Sequence, residues 1–386
     1  MSSKRRRFEP SQEELLRAKE WVASMGGSSW RFFDPIADQY IHLFRLPTDR
    51  FVRVIDVLPD IPFHFGLGMI DRRLTDAQLE GIEQCTTLSH LELSESSITD
   101  VGISHIAKLP RLQWLSLWYT RISNSGISAL SRVTTLSSLL LGFENISCNG
   151  LRLLPLFDAL SELDIRTHPV SGDVIQGLSR CPKLSRLTIS THGLSQAGAE
   201  RLKKLKNLRW LQFLGPELSE RQIQGLSQLN IAEIHFDAYR MSDNGMKRLA
   251  RLNNLKSIDV NLGDITDEGI KHISRLDGME SLSLGETRVT DFGLQMIAAM
   301  QSLSKLVLCS TAVTDRGLAS VGKLQRLASL DLAETGITDL GLQELAGLHG
   351  LLELFLEKSE VTASGVSALQ EALPNCHIRW SESVNS

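Results

Sequence analysis

Apolar residues recur along this chain in a strand-like spacing followed by a helix-like one. In the stretch Leu327–Leu345, Leu327, Leu330 and Leu332 form an L-x-x-L-x-L segment. Residues two apart share one face of a strand, so Leu330 and Leu332 predict a short strand with one apolar face. After Thr335 and Ile337, the run Thr338-Asp339-x-Gly341-Leu342 opens a short helix that continues to Leu345. Threonine followed by aspartate suits a helix start, because it offers a capping oxygen and a negative charge.

The first leucine of this unit has counterparts at Leu88, Leu112, Leu136, Leu160, Leu184, Leu208, Ile231, Leu255, Met279, Leu303, Leu327 and Leu351. Each step is 24 residues, except a step of 23 from Leu208 to Ile231. A fixed period of this size predicts a solenoid, in which a unit unable to stand alone buries its apolar face against its neighbours. The cap-and-acid pair returns at Thr75-Asp76, Thr99-Asp100, Ser242-Asp243, Thr266-Asp267, Thr290-Asp291, Thr314-Asp315 and Thr338-Asp339. In the centre the same positions read Ser147-Cys148, Ser171-Gly172, Ser195-Gln196 and Ser219-Glu220. Both drift and selection for a site can produce such a local departure.

The L-x-x-L-x-L strand and T-D-x-G-L helix start resemble the leucine-rich repeat family over residues 64–380. The T-D-x-G-L form is similar to the ribonuclease-inhibitor and F-box-associated subclass found in bacterial repeat proteins. The resemblance implies an α/β horseshoe of about 12–13 units, with a parallel sheet inside the curve and helices outside. The family's turn asparagine is mostly replaced, by Ser96, Thr120, Glu144, His168, His192, Pro216, Tyr239, Gly263, Thr287, Thr311, Thr335 and Ser359. A hydroxyl there can still bond neighbouring backbone. Pro216 and Gly263 have no such group, which predicts irregularity at those two units.

Residues 1–10 read as a disordered basic tail and 11–63 as an N-terminal cap for the first open end of the solenoid. Ser11 with Glu14 forms a capping-box pattern ahead of a helix to Met25, which Gly26-Gly27 ends. Strands are expected at Trp30–Phe33, Tyr40–Phe44 and Phe51–Leu58. A degenerate first unit follows at Leu67, Met69 and Leu74-Thr75-Asp76. At the other end Ile378 and Trp380 fall at strand positions, and 381–386 read as a tail. No F-box is apparent in residues 28–60.

Composition narrows the function classes. Charged residues make up 22% and the net charge is -4, which argues against a bulk nucleic-acid binder. No apolar run reaches the ~18 residues of a membrane span, and MSSKRRRFEP lacks the apolar core of a secretory signal. A cytoplasmic protein is expected. Cys85, Cys148, Cys181, Cys309 and Cys376 show neither C-x-x-C nor zinc-ligand spacing and are expected to be separate thiols. There is no P-loop, G-x-S-x-G, H-E-x-x-H or dinucleotide fingerprint, so neither catalysis nor a cofactor is expected. His168 and His192 lie one repeat apart, ~4.8 Å in a parallel stack. Two histidines do not complete a metal shell.

The residues between the strand leucines should point out of the inner curve. They include Trp114 and Trp118, with Tyr119 just after, then Leu140 with Phe143, Glu162 and Asp164, Trp210, and Glu233, His235 and Asp237. Large aromatics on such a face suggest a docking site. Their structural alternatives are a ridge that packs on itself and a face covered by the N-terminal segment or by a second copy. On this face and the residue after each strand stand twelve acids: Glu92, Glu95, Glu162, Asp164, Glu233, Asp237, Asp259, Glu286, Asp331, Glu334, Glu353 and Glu357. Four bases accompany them, Arg166, Arg186, Lys305 and Lys358, so a partner with a basic surface is expected. The expectation is a monomeric, non-enzymatic protein-interaction scaffold that engages neither nucleic acid nor membrane. The alternative, from the family resemblance alone, is a substrate-recognition subunit of a ubiquitin ligase.

Overall fold

The computed structural model describes residues 10–34, 39–50, 52–142, 146–154, 157–166, 171–190, 194–215, 218–226, 229, 233–237 and 241–381. The chain forms two compact units, Met1–Leu208 and Arg209–Ser386.

The first unit opens with helix α1 (Gln12–Ser24). Its start is a full capping box: Ser11 Oγ accepts from the Glu14 amide at 3.2 Å, and the Glu14 carboxylate accepts from the Ser11 amide at 2.8 Å. Beyond the helix Gly26 takes a left-handed φ of 77°, which a side chain would resist. Strands β1 (Ser28–Asp34) and β2 (Gln39–Arg45) then form an antiparallel hairpin. β2 pairs in parallel with β3 (Phe65–Gly68), the strand of the degenerate first repeat. The third strand expected over Phe51–Leu58 does not form over its described residues, 52–58. Thr48–Arg50 and Val54–Asp56 are 3-10 turns instead. Arg53 clasps Asp56 three residues ahead at 2.7 and 2.9 Å, a spacing that closes a turn and cannot be met in an extended strand.

Five repeats follow in this unit. Their strands are β4 (Leu88–Glu92), β5 (Trp114–Trp118), β6 (Ser138–Gly142), β7 (Glu162–Ile165) and β8 (Arg186–Ser190), paired in parallel in that order. Each is followed by a short helix: α2 (Asp100–Ile106), α3 (Asn124–Leu130), α4 (Cys148–Leu151), α5 (Gly172–Leu178) and α6 (Gln196–Leu202). The repeat leucines fill the layer between sheet and helices, with Leu112, Leu115, Leu117, Leu136 and Leu139 fully buried.

The second unit repeats the plan from β9 (Trp210–Leu214) through β10 (Glu233–Asp237), β11 (Ser257–Asp259), β12 (Ser281–Ser283), β13 (Lys305–Val307), β14 (Ser329–Asp331) and β15 (Glu353–Phe355). β16 (His377–Arg379) is the terminal strand, paired in parallel with β15. The helices are α7 (Glu220–Leu226), α8 (Asp243–Leu249), α9 (Asp267–Ile273), α10 (Asp291–Ile297), α11 (Asp315–Val321), α12 (Asp339–Gln343) and the longer α13 (Ala363–Ala372). The architecture is an α/β solenoid of parallel strands alternating with helices.

Two recurring devices order the array, one closing the turn within a repeat and one joining a repeat to the next. At the position of the family's turn asparagine, the hydroxyls of Ser96, Thr120, Thr287, Thr311, Thr335 and Ser359 are buried, and each donates to the carbonyl three residues earlier at 2.5–2.8 Å. The second device is a ladder of carboxylates. Asp267 accepts from the amide and hydroxyl of Thr290 at 2.9 and 2.7 Å, which joins the start of α9 to the start of α10. The same bridge joins Asp76 to Thr99, Asp100 to Ser123, Asp243 to Thr266, Asp291 to Thr314, Asp315 to Thr338 and Asp339 to Thr362. Asn124 makes the corresponding contact with the Ser147 amide at 3.0 Å. The aspartate therefore does more than place charge at a helix start. After the central caps, Cys148, Gly172 and Gln196 carry no carboxylate, so the aspartate bridge is not available at those three units.

Candidate functional site

In the first unit the strand register sorts the outward side chains into three rows. One row runs Trp114, Ser138, Glu162, Arg186; a second runs Ser116, Leu140, Asp164, Thr188. The third starts with Trp118 opposite Gly142, and Arg166 stands one repeat after Gly142, immediately past β7.

The third row decides the geometry of this face. Glycine at 142 leaves no side chain between its neighbours. The Trp118 indole occupies that space, and a Cβ on Gly142 would lie 3.2 Å from its Cδ1. Arg166 reaches the same gap from the other side, its guanidinium carbon 3.8 Å from the Trp118 ring centroid. A cation over an indole face is attracted by the ring quadrupole. Asp164 fixes the guanidinium plane by accepting from Nε at 3.0 Å and Nη2 at 2.9 Å. Asp164 is buried, and desolvation pushes its carboxyl up to about 6 despite the opposing effect of Arg166. The ring is therefore layered beneath a charged group. It does not project as a bare anchor.

The first row is polar beside an aromatic stack. His90, buried, stacks on Trp114 with ring centroids 6.2 Å apart and receives support from Ser89 Oγ at 2.9 Å. Ser138 Oγ donates to Glu162 at 2.6 Å, and Arg186 lies 3.5 Å from the same carboxylate. Leu140 is half-buried in the second row, between the buried Ser116 and Asp164. Tyr119 is 66% exposed and has a left-handed φ of 55°, with its amide bonded to the Gly142 carbonyl. Phe143, His168 and His192 lie outside the described residues.

The second unit holds its own cluster. The Trp210 and His235 rings are 5.1 Å apart, and His235 Nε2 lies 3.3 Å from Glu233, the strand partner of Trp210. Asp237 takes its place in the β10 ladder opposite Leu214 and Asp259, and its side chain lies outside the described residues.

The expectation of one acidic face divides between the units. Of the twelve acids only Glu92, Glu95, Glu162 and Asp164 belong to the first unit, where Arg166 and Arg186 each pair with one of them. The other eight stand in the second unit beside Lys305 and Lys358, and Lys358 is paired with Glu334. Burial raises the Asp331 carboxyl, as expected for an acid in a half-covered strand position.

Among the described residues no group of three or more histidines, cysteines or acids could hold a metal ion. Cys85, Cys181, Cys309 and Cys376 are unpaired, and burial pushes the Cys85 and Cys181 thiols up to about 11, away from the reactive thiolate. No described helix is long and apolar enough to cross a membrane.

A family model described as Leucine Rich repeat matches residues 84–107, 251–274 and 325–346, spanning strands β4, β11 and β14 and the segments around them. Over those three stretches the chain carries leucine-rich repeats. No curated protein matches it. Among solved structures it is similar to an internalin from Listeria monocytogenes at 18% identity, covering 97% of this chain and 95% of that one with a TM-score of 0.44. It is also similar to an LRR protein from Leptospira interrogans at 16% identity, covering 83% and 92% with a TM-score of 0.40.

Sequence reasoning picked out the tryptophans but passed over Gly142, Arg166 and His90 as site residues. The missed signal was arithmetic in form: Trp118, Gly142 and Arg166 are spaced by the repeat period, so a gap between two large side chains could have been read from the alignment of units.

Proposed function

We propose that this protein is a non-enzymatic scaffold that captures a protein partner on the sheet face of its first unit. The observation that carries the reading is the Trp118–Arg166–Asp164 layer across Gly142. Tryptophan and arginine are the residues most often found as energetic anchors of interfaces, and their entropy of ordering is already lost here. Trp114, Leu140 and Tyr119 extend the same face, and Glu162 with Arg186 forms a polar rim. On the second unit, Trp210, Glu233 and His235 are a separate candidate contact, and the surplus of acids there favours a partner with a basic surface.

The test is affinity capture from native extract with wild type and with a Trp118→Ala, Arg166→Ala variant shown to be folded by circular dichroism. A protein held by wild type, lost with the variant and bound directly when purified supports the assignment. Equal capture by both would remove this face from consideration. Residues 11–60, on which the ubiquitin-ligase alternative turns, contain one helix, an antiparallel hairpin and 3-10 turns among the described residues. That composition favours a mixed cap over a helical adaptor module.

A further inference from the structure

Away from the sheet face, the first unit has a cleft of about 520 Å³ where the chain leaves α5 and α6 for the following strands. Its floor is apolar, formed by the buried Leu178, Cys181, Leu184 and Leu205. Its rim carries Lys203, Lys204 and Lys206, all exposed, with Asn207 and Ser179. Asn207 Nδ2 donates to the Pro182 carbonyl at 2.7 Å and ties the two turns together. Among the described residues no carboxylate lines the cleft. Lys204 contacts the neutral Gln176 amide at 2.6 Å, and Arg180 and Lys183 add two exposed cations on the neighbouring turn.

Lysines at the end of a helix have an ordinary role, which is to offset its negative pole. That pole amounts to about half a charge. Three ammonium groups at one turn exceed what it needs. The excess is also local. The preceding turn, residues 154–160, has one acid and no base, and the turn after α7, residues 226–232, has no charge at all. A nucleic acid or an extended acidic surface would call for a basic stripe over several repeats. A concentration of charge over two turns, around a cavity of small-molecule size, matches a compact ligand. Ammonium groups hold phosphate oxygens as point charges, and several of them together suit an anion of high charge.

We propose that this cleft binds a compact anion carrying several phosphates. The site is independent of the sheet-face scaffold reading and can hold whether or not that reading does. The probe is inorganic tripolyphosphate, titrated calorimetrically at about 0.15 M salt, where long-range attraction is screened. Wild type should bind it more tightly than sulfate. Lys204→Gln, Lys206→Gln together should weaken binding by at least about tenfold, the scale of one lost charge-assisted bond. A control with Arg316→Gln and Lys323→Gln, cations of the second unit, should bind as wild type does. The substituted lysines are exposed, so folding is not at risk. Absence of binding to wild type, equal affinity for sulfate, or equal loss in both variants would overturn the proposal. Sedimentation with phosphatidylcholine vesicles, with and without phosphatidylinositol bisphosphate, distinguishes a membrane headgroup from a soluble oligophosphate as the source.

Discussion

Gly126→Ala separates two physical expectations of opposite sign. Gly126 lies inside α3, where alanine is favoured over glycine by about 1 kcal/mol on helix propensity alone. The ladder predicts the reverse. A Cβ at Gly126 would lie 2.5 Å from Asp100 Oδ1, with its next neighbour, Ile122, at an ordinary 3.4 Å. The carboxylate must then withdraw by most of an ångström. It now accepts from the Ser123 amide at 2.8 Å and the Ser123 hydroxyl at 2.5 Å, and it cannot hold both from the displaced position. Loss of one hydrogen bond to a charged group costs about 1.5–3 kcal/mol. Set against the propensity gain, Gly126→Ala should destabilise the protein by about 0.5–2 kcal/mol. Urea unfolding followed by circular dichroism reads the net effect, and hydrogen exchange at the Ser123 amide reads the broken bridge. In an Asp100→Ala background the obstacle is gone, and the same substitution should become neutral or stabilising. Stabilisation of the wild-type background by Gly126→Ala would refute the reasoning, because propensity would then outweigh the carboxylate bridge.

Three further outcomes follow from other sites. Because burial lifts the Asp164 carboxyl from 3.8 to about 6, the native state holds its proton more firmly than the unfolded chain, so stability should fall as pH rises from about 4 to 6 and level off above. Asp164→Asn should flatten that slope, by up to about 3 kcal/mol, in urea midpoints compared across the window. Gly142→Ala should press on the Trp118 ring and loosen its contact with Arg166, shifting the Trp118 share of the fluorescence, isolated by difference from Trp118→Phe, while leaving far-ultraviolet circular dichroism unchanged. Thr335→Val keeps the shape of a buried residue but removes its 2.5 Å bond to the Leu332 carbonyl, and should cost about 1 kcal/mol in thermal or urea unfolding.

The sequence by itself determined the repeat, the strand and helix of each unit and which face of each strand is apolar. These depend on spacings of two to four residues, which neighbours along the chain impose on one another. It also determined the capping of α1, since Ser11 and Glu14 meet within one helical turn. The tertiary structure decided what depends on residues about one repeat apart becoming neighbours. Asp100 looked like a helix-start charge until its oxygens were seen on Ser123 of the next unit. Phe51–Leu58 looked extended until Arg53 and Asp56 closed a turn. Trp118 looked like a bare anchor, but Gly142 opens a space that Arg166 and the indole share, and the buried Asp164 holds them there. Local periodicity can say that a side chain leaves the core. What covers it once it has left depends on the register between strands, which is set by packing and hydrogen bonding across the whole array.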